Sequence, residues 1–270
     1  MTAEPLFGRS ARSALDAIVA ADGGRLLVAL DCDGTLAPIV PRPQDARVPA
    51  ATLRSIARCA SLPGVTVAIV SARVPSELRA LVPLKGVRLV GIYGLADRAI
   101  PSGTRARWRR RVRRLERTAT AAFDGIRGAW LERKGLALAA HDRGVRDPGE
   151  ARRFARAVRA VRREATRLGL RATGGRRVIE FIPREAGKDA AVRRLIRSSR
   201  ARRAVYFGDS PGDDPVYLLL RRRGLLRKGL GVHVGAGPTR AGHRVRALAD
   251  VRRFLDHLCD ARAQRLRRAA

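Results

Sequence analysis

The sequence predicts an α/β protein with a central parallel sheet and helical crossovers, into which a smaller α+β unit is inserted. Three observations predict it. Short, continuously apolar runs recur at 26–30 (LLVAL), 65–70 (VTVAIV), 87–92 (VRLVGI), 204–208 (AVYFG) and 231–235 (GVHVG), the pattern of parallel strands covered on both faces. Segments of helical spacing alternate with them. At 270 residues the chain exceeds the common size of one compact core, so a second domain is expected.

Taken in order, Ala14, Leu15, Ile18 and Val19 mark a helix over 10–21, closed by the Asp22-Gly23-Gly24 turn before the first strand. Helices over 50–61 and 75–82 precede the next two strands, with Pro63-Gly64 as punctuation. The texture then changes: an Arg-rich helix over 104–123, strands near 128–133 and 135–141, a helix over 148–168, and strands near 170–173 and 176–182. This helix-strand-strand order, twice repeated, describes an inserted unit over 103–183, between core segments 1–102 and 184–270.

The formal net charge of +33 raises the question of nucleic acid. Lysine occurs only at positions 85, 134, 188 and 228, and the arginines are spread along helical segments. Solvated basic faces are therefore expected, and nucleic acid is not expected as a partner. The runs Arg109–Arg114 and Arg221–Arg223 would still attract phosphorylated substrates. Cys32, Cys59 and Cys259 are odd in number and lack metal-type spacing, which points away from a disulfide framework. No apolar run reaches signal-peptide or membrane-span length, so a soluble, cytoplasmic protein is expected, as a monomer.

The segment LLVALDCDGTL at 26–36 delivers Asp31 and Asp33 at the carboxyl end of a buried strand, where ligands bind in open parallel sheets. Neither carboxylate can be buried cheaply without a cation or donors, and Mg²⁺ favours carboxylate and phosphate oxygens. Asp209, Asp213 and Asp214 follow the strand AVYFG in GDSPGDDP, and three acids so close would repel one another without a cation. Lys188 opens a helix in PREAGKDAAVRRL, where the dipole disfavours an ammonium unless an anion is shared with it. Ser71 closes VTVAIV, either as a helix N-cap or as a ligand-binding hydroxyl.

These motifs, in this order, resemble the haloacid dehalogenase-like (HAD) phosphatase superfamily and, within it, the trehalose-6-phosphate phosphatases. The resemblance runs from about residue 24 to 258. It implies a Rossmann-like HAD core with a central parallel sheet, an inserted α+β cap domain of the C2 type, and Mg²⁺ as cofactor. It implies Asp31 as nucleophile, Asp33 as general acid/base, Ser71 and Lys188 as phosphate-binding groups, and Asp31, Asp33, Asp209 and Asp213 around the metal. In LERKGLALAAHDRG at 131–144 the resemblance makes Glu132, Lys134, His141 and Arg143 candidate sugar contacts, together with Glu180 in RRVIEFIP and Arg73 in VSAR. Surface ion pairing is the other reading of these cap residues, and a structural hydrogen bond that of His141. The family's usual Ser-Gly-Arg is here Ser71-Ala72-Arg73, the aspartate after Asp209 is Ser210, the Asn/Glu-His-Gly segment is Ile92-Tyr93-Gly94, and Thr-Asp-Glu is Gly212-Asp213-Asp214.

The expected activity is Mg²⁺-dependent hydrolysis of trehalose 6-phosphate through an aspartyl phosphate, with the cap closing over the disaccharide. Another sugar or polyol phosphate is the alternative substrate, and a non-catalytic polyanion-binding protein on the same fold is the alternative class.

Overall fold

Five consecutive apolar residues following a Gly-containing turn signal suit a short strand covered on both faces, and residues 26–30 form one. The computed structural model describes residues 3–9, 11–19, 24–97, 99–175, 177–222 and 224–269. The expected Asp22-Gly23 turn, the ends of the first helix, Arg176 and Arg223 lie outside the described residues. The chain starts with β1 (Glu4–Pro5), α1 (Arg12–Val19), β2 (Leu26–Leu30), α2 (Ala50–Ser61), β3 (Val65–Val70), α3 (Pro75–Leu81) and β4 (Arg88–Val90). It continues with α4 (Ser102–Phe123), β5 (Trp130–Arg133), β6 (Leu138–His141), α5 (Pro148–Arg167), β7 (Leu170–Gly175) and β8 (Val178–Pro183). The last elements are α6 (Lys188–Ser199), β9 (Arg203–Gly208), α7 (Asp214–Leu220), β10 (Lys228–Val234), β11 (His243–Val245) and α8 (Leu248–Ala269).

One compact unit comprises residues 1–94 and 187–270, and the other residues 95–186, wider at both ends than the expected 103–183. In the first unit, seven strands pair in parallel in the order β1-β11-β10-β9-β2-β3-β4. Alternate strand residues feed opposite faces, as the two-residue period requires. Leu26, Val28, Leu30, Val205 and Phe207 pack with Ile18, Ile56, Phe254 and Leu258 on one face. Leu27, Ala29, Tyr206 and Val70 pack with Val192, Leu195, Val216 and Tyr217 on the other. Each fully buried side chain of this size contributes about 1.5–3 kcal/mol. The short pairs β1 and β11 carry too few apolar residues to register as periodic segments, and the sequence reading passed over them.

The second unit is an antiparallel sheet in the order β5-β6-β8-β7. Helices α4 and α5 cover one face, where Val112, Leu115, Phe123, Phe154 and Val161 meet Leu138, Ala140 and Phe181. Asp147 caps α5 by accepting from the Glu150 N–H at 2.9 Å, and Pro148 occupies the first helical position. Arg109, Arg110, Arg113 and Arg114 of the basic run are exposed, while Val112 within it and Leu115 after it point inward. The run is thus the solvent side of an amphipathic helix. No helix among the described residues is long and apolar enough to cross a membrane.

One expected strand is shortened. The run 87–92 pairs only over Arg88–Val90, because Ile92 and Tyr93 both adopt left-handed backbone, with φ of 51° and 54°. For a β-branched residue this is an outlier, and it is held by the surrounding hydrogen bonds of the site.

Candidate active site

Strand β2 runs into Asp31, whose N–H donates to the Phe207 carbonyl of β9 at 2.9 Å. The chain then folds back on itself. The Cys32 carbonyl accepts from the Leu36 and Ala37 N–H groups at 2.8 and 3.0 Å, and Gly34 takes the left-handed conformation, φ 77°. A Cβ at Gly34 would stand 2.0 Å from Asp209 Oδ2, and one at Gly208 would stand 2.4 Å from Asp213 Cγ. Both glycines are therefore required by close approach of the acidic groups. Gly34→Ala is expected to displace Asp209, to lower activity by about 100-fold or more, and to cost about 1–2 kcal/mol through its positive φ. Activity and Tm measured on the same variant check this, since wild-type activity would mean that Asp209 can move without consequence.

Asp31, Asp209 and Asp213 each offer a carboxylate oxygen within 4.8 Å of the others. Lys188, the first residue of α6, is buried with its ammonium 2.7 Å from both Asp31 Oδ2 and Asp213 Oδ1. The anion that explains a lysine at a helix start is thus a pair of carboxylates of the chain itself. Asp213 is fully used: Oδ1 accepts from Lys188 and from the Tyr206 hydroxyl at 2.6 Å, and Oδ2 from the Ser210 N–H and hydroxyl at 3.0 and 2.9 Å. A carboxylate has about four lone-pair sites, so Asp213 stands as the support of Lys188, and open coordination capacity lies with Asp31 and Asp209. Ser210 thus supplies both donors to Asp213 Oδ2. Asp214 accepts from the Arg240 N–H at 2.8 Å and ties down that loop.

Three carboxylates face one ammonium, so the fully ionised cluster carries two uncompensated negative charges, the charge of one divalent cation. Burial, with Asp213 and Asp209 adding to it against Lys188, pushes the Asp31 carboxyl up to about 8. Burial and then Asp213 push Asp209 up to about 6. For Asp213 burial acts in the same sense, but Lys188, Tyr206 and Ser210 together hold it below the usual range. Lys188 is held above its usual range by Asp31 and Asp213 despite burial. Burial, then Asp33 and Asp31, push the neighbouring Cys32 thiol up to about 12. An all-oxygen donor set of this charge fits a hard divalent cation.

Asp33 turns away from this cluster. Its two oxygens accept from Arg73 Nε and Nη2, both at 2.7 Å, and Arg73 also donates to the Pro43 carbonyl at 2.8 Å. Arg73 itself is buried, while 40% of the Asp33 side chain is exposed. Ser71 is buried at the end of β3, and its hydroxyl oxygen accepts from the Arg73 N–H at 3.2 Å. The helix-cap reading of Ser71 is overturned: α3 starts at Pro75 with Val74 at its cap. The left-handed turn at Ile92-Tyr93 binds these pieces, with Ile92 N–H donating to the Arg73 carbonyl, Tyr93 N–H to the Ser71 carbonyl, and the Gly187 N–H to the Tyr93 carbonyl, each at 3.0 Å. Backbone strain held by several hydrogen bonds beside a charged cluster is a mark of functional sites.

In the second unit, the sheet face opposite the helices gathers four of the six candidate sugar contacts. Lys134 Nζ lies 2.8 Å from Glu180 Oε1 and 3.6 Å from Glu132 Oε2, and His141 Nε2 lies 2.9 Å from Glu132 Oε2. The hydrogen bond to His141, with Lys134 helping against burial, lowers the Glu132 carboxyl. Trp130, 46% exposed, stacks on His141 at 4.5 Å and 3°. Arg143 is exposed in the turn after β6. The sequence reading missed Tyr206, Gly34, Gly208 and Trp130. Only the alternation of β9, which turns Tyr206 to the face covered by α7, could have flagged the first.

A family model described as trehalose-phosphatase matches residues 29–250. The trehalose-6-phosphate phosphatase of Escherichia coli (strain K12) is 28% identical over 244 residues, covering 87% of each chain. Among solved structures, a trehalose-6-phosphate phosphatase of Aspergillus fumigatus superposes with a TM-score of 0.67 at 23% identity, over 96% of this chain and 99% of that one. A haloacid dehalogenase-like hydrolase of Bacteroides thetaiotaomicron does so with a TM-score of 0.58 at 14% identity, over 87% and 99%. At these identities the superpositions speak to the fold.

Proposed function

Since the chain belongs to the trehalose-phosphatase family, we propose that it hydrolyses trehalose 6-phosphate to trehalose and phosphate, with Asp31 as the phosphoryl acceptor and Mg²⁺ as the cation. The observation that carries this reading is the buried Asp31 held between Lys188 and the other two carboxylates at the mouth of a parallel strand.

Asp31 and Asp209 would hold Mg²⁺, with Asp213 behind them, and the cation would supply positive charge to the phosphoryl oxygens. An Asp31 oxygen attacks phosphorus, forming an aspartyl phosphate as the bond to the sugar oxygen breaks. Asp33 gives its proton to the departing sugar oxygen, then takes one from the water that attacks phosphorus and restores Asp31. Both Asp33 oxygens accept from Arg73, so reaching the sugar oxygen requires release of that pair; its exposure gives it room to turn. Lys188 offsets charge on the transferred group. The Ser71 hydroxyl, accepting from Arg73 N–H, keeps its own hydrogen for a phosphoryl oxygen. Glu132, Lys134 and Glu180, with their charges turned to one sheet face, are suited to sugar hydroxyls.

The test is phosphate release from a panel of sugar phosphates with Mg²⁺ and after chelation. Selective, chelator-sensitive release from trehalose 6-phosphate is expected; release from other sugar or polyol phosphates alone would reassign the substrate, and none from any would remove the activity. On the same panel, Glu132→Ala and Lys134→Ala are expected to raise KM for trehalose 6-phosphate about 10-fold or more, the scale of a hydrogen bond to a charged group. A small aryl phosphate should be turned over nearly as before. Equal losses on both would make these residues structural.

A further inference from the structure

We propose that Cys59 and Cys259 are a crosslinking site, at which a small-molecule disulfide converts the two thiols into a cystine that joins α2 to α8. Their Sγ atoms lie 3.0 Å apart, although the residues are 200 positions apart in the chain. Both are buried, at 0% and 2% exposure. The seam holding them is built on both sides of the sulfurs. One turn before Cys59, the Ser55 hydroxyl donates to Asp256 Oδ1 at 2.6 Å; beside it, Arg58 Nη2 meets Asp260 Oδ1 at 2.9 Å. The Cys59 thiol also reaches the Leu255 carbonyl at 3.3 Å. These contacts fix the register of the two helices, so the sulfurs face each other with little freedom to separate.

The chemistry balances without a further reactant. The Cys259 thiolate attacks one sulfur of the small disulfide, whose S–S bond breaks and releases one small thiolate, which takes up the Cys259 proton. Cys59 then attacks the Cys259 sulfur of the mixed disulfide, releasing the second small thiolate with the Cys59 proton; the protein loses two electrons and the small disulfide gains them. Cys259 is the first attacker because its contact with Cys59 lowers its thiol, with Arg58 adding to this against burial. Buried thiols can also serve only as small apolar groups sharing a weak S–H···S contact, and the experiment separates the two.

The full chain is incubated with oxidised glutathione, with and without low urea to open α8, then denatured, alkylated and peptide-mapped. Of the three free cysteines, Cys32 alone is expected to alkylate, with the peptides carrying Cys59 and Cys259 joined within one chain. Because the closed loop is long, Tm should rise by about 5–10 °C and return on reduction. Cys59→Ala should leave Cys259 carrying glutathione without a crosslink. Three alkylated cysteines under both conditions, a persistent glutathione adduct in the wild type, or a crosslink only between chains would overturn the proposal.

Discussion

Asp31→Asn is expected to reduce phosphate release from trehalose 6-phosphate by at least about 10⁴-fold, the scale of losing a covalent nucleophile, while the protein folds normally. The amide keeps the shape of the carboxyl but cannot attack phosphorus. Folding should survive because, without a cation, burial already pushes the Asp31 carboxyl up to about 8, so the protein at neutral pH tolerates a neutral group there. In the presence of a chelator the variant's Tm near pH 7 should equal or exceed that of the wild type. Divalent cation should raise it less, since one donor has lost its charge. Phosphate release and a melting curve with and without Mg²⁺ check both halves. Turnover above about 1% of wild type would remove Asp31 as nucleophile, and an unfolded variant would mean that its charge is needed for structure.

What was legible in the sequence followed from local physics. Five apolar residues ending in Asp-x-Asp-Gly specify a buried strand and two acids at its mouth, and the acids of GDSPGDD specify a second negative site. Which oxygen faces which partner was not legible. Asp31 and Asp33 are two residues apart and share a motif, yet one meets Lys188 and the other Arg73, because the turn at Gly34 sends successive side chains to different neighbours. The end of the third apolar run was misread for a related reason. Ile92 looks like strand by composition, but the backbone there bends to bond Arg73, Ser71 and Gly187, a requirement set by residues far along the chain. The Arg-rich helix, by contrast, was readable from the spacing of Trp108, Val112, Leu115 and Ala119, which lie on its buried side.

Lys188→Ala is expected to have the second largest effect, on both stability and activity, and its pH dependence distinguishes its cause. Removing the ammonium leaves Asp31 and Asp213 buried and facing each other, an uncompensated charge that costs about 3–5 kcal/mol. The folded value for Asp31, about 8, already lies above the ordinary 3.8, so the native chain holds this proton where the unfolded chain has released it. Stability from this group is greatest below the ordinary value and is lost as pH rises through the folded one. Against burial, Lys188 is also the main group holding Asp213 below its usual range; without it the Asp213 carboxyl rises, so the stability the wild type keeps above the ordinary carboxylate value is lost in the variant as pH rises toward 8. In chelator, the variant's Tm should fall below wild type by roughly 10 °C at pH 8 and by much less near pH 5. Mg²⁺ should recover most of the difference at pH 8 by replacing one cation with another. Phosphate release should remain lower by about 100-fold or more even when the cation restores Tm, because a charge at the metal cannot stand where the ammonium stood between Asp31 and Asp213. A pH-independent loss of Tm, or full activity once Mg²⁺ restores the fold, would show that Lys188 serves packing alone.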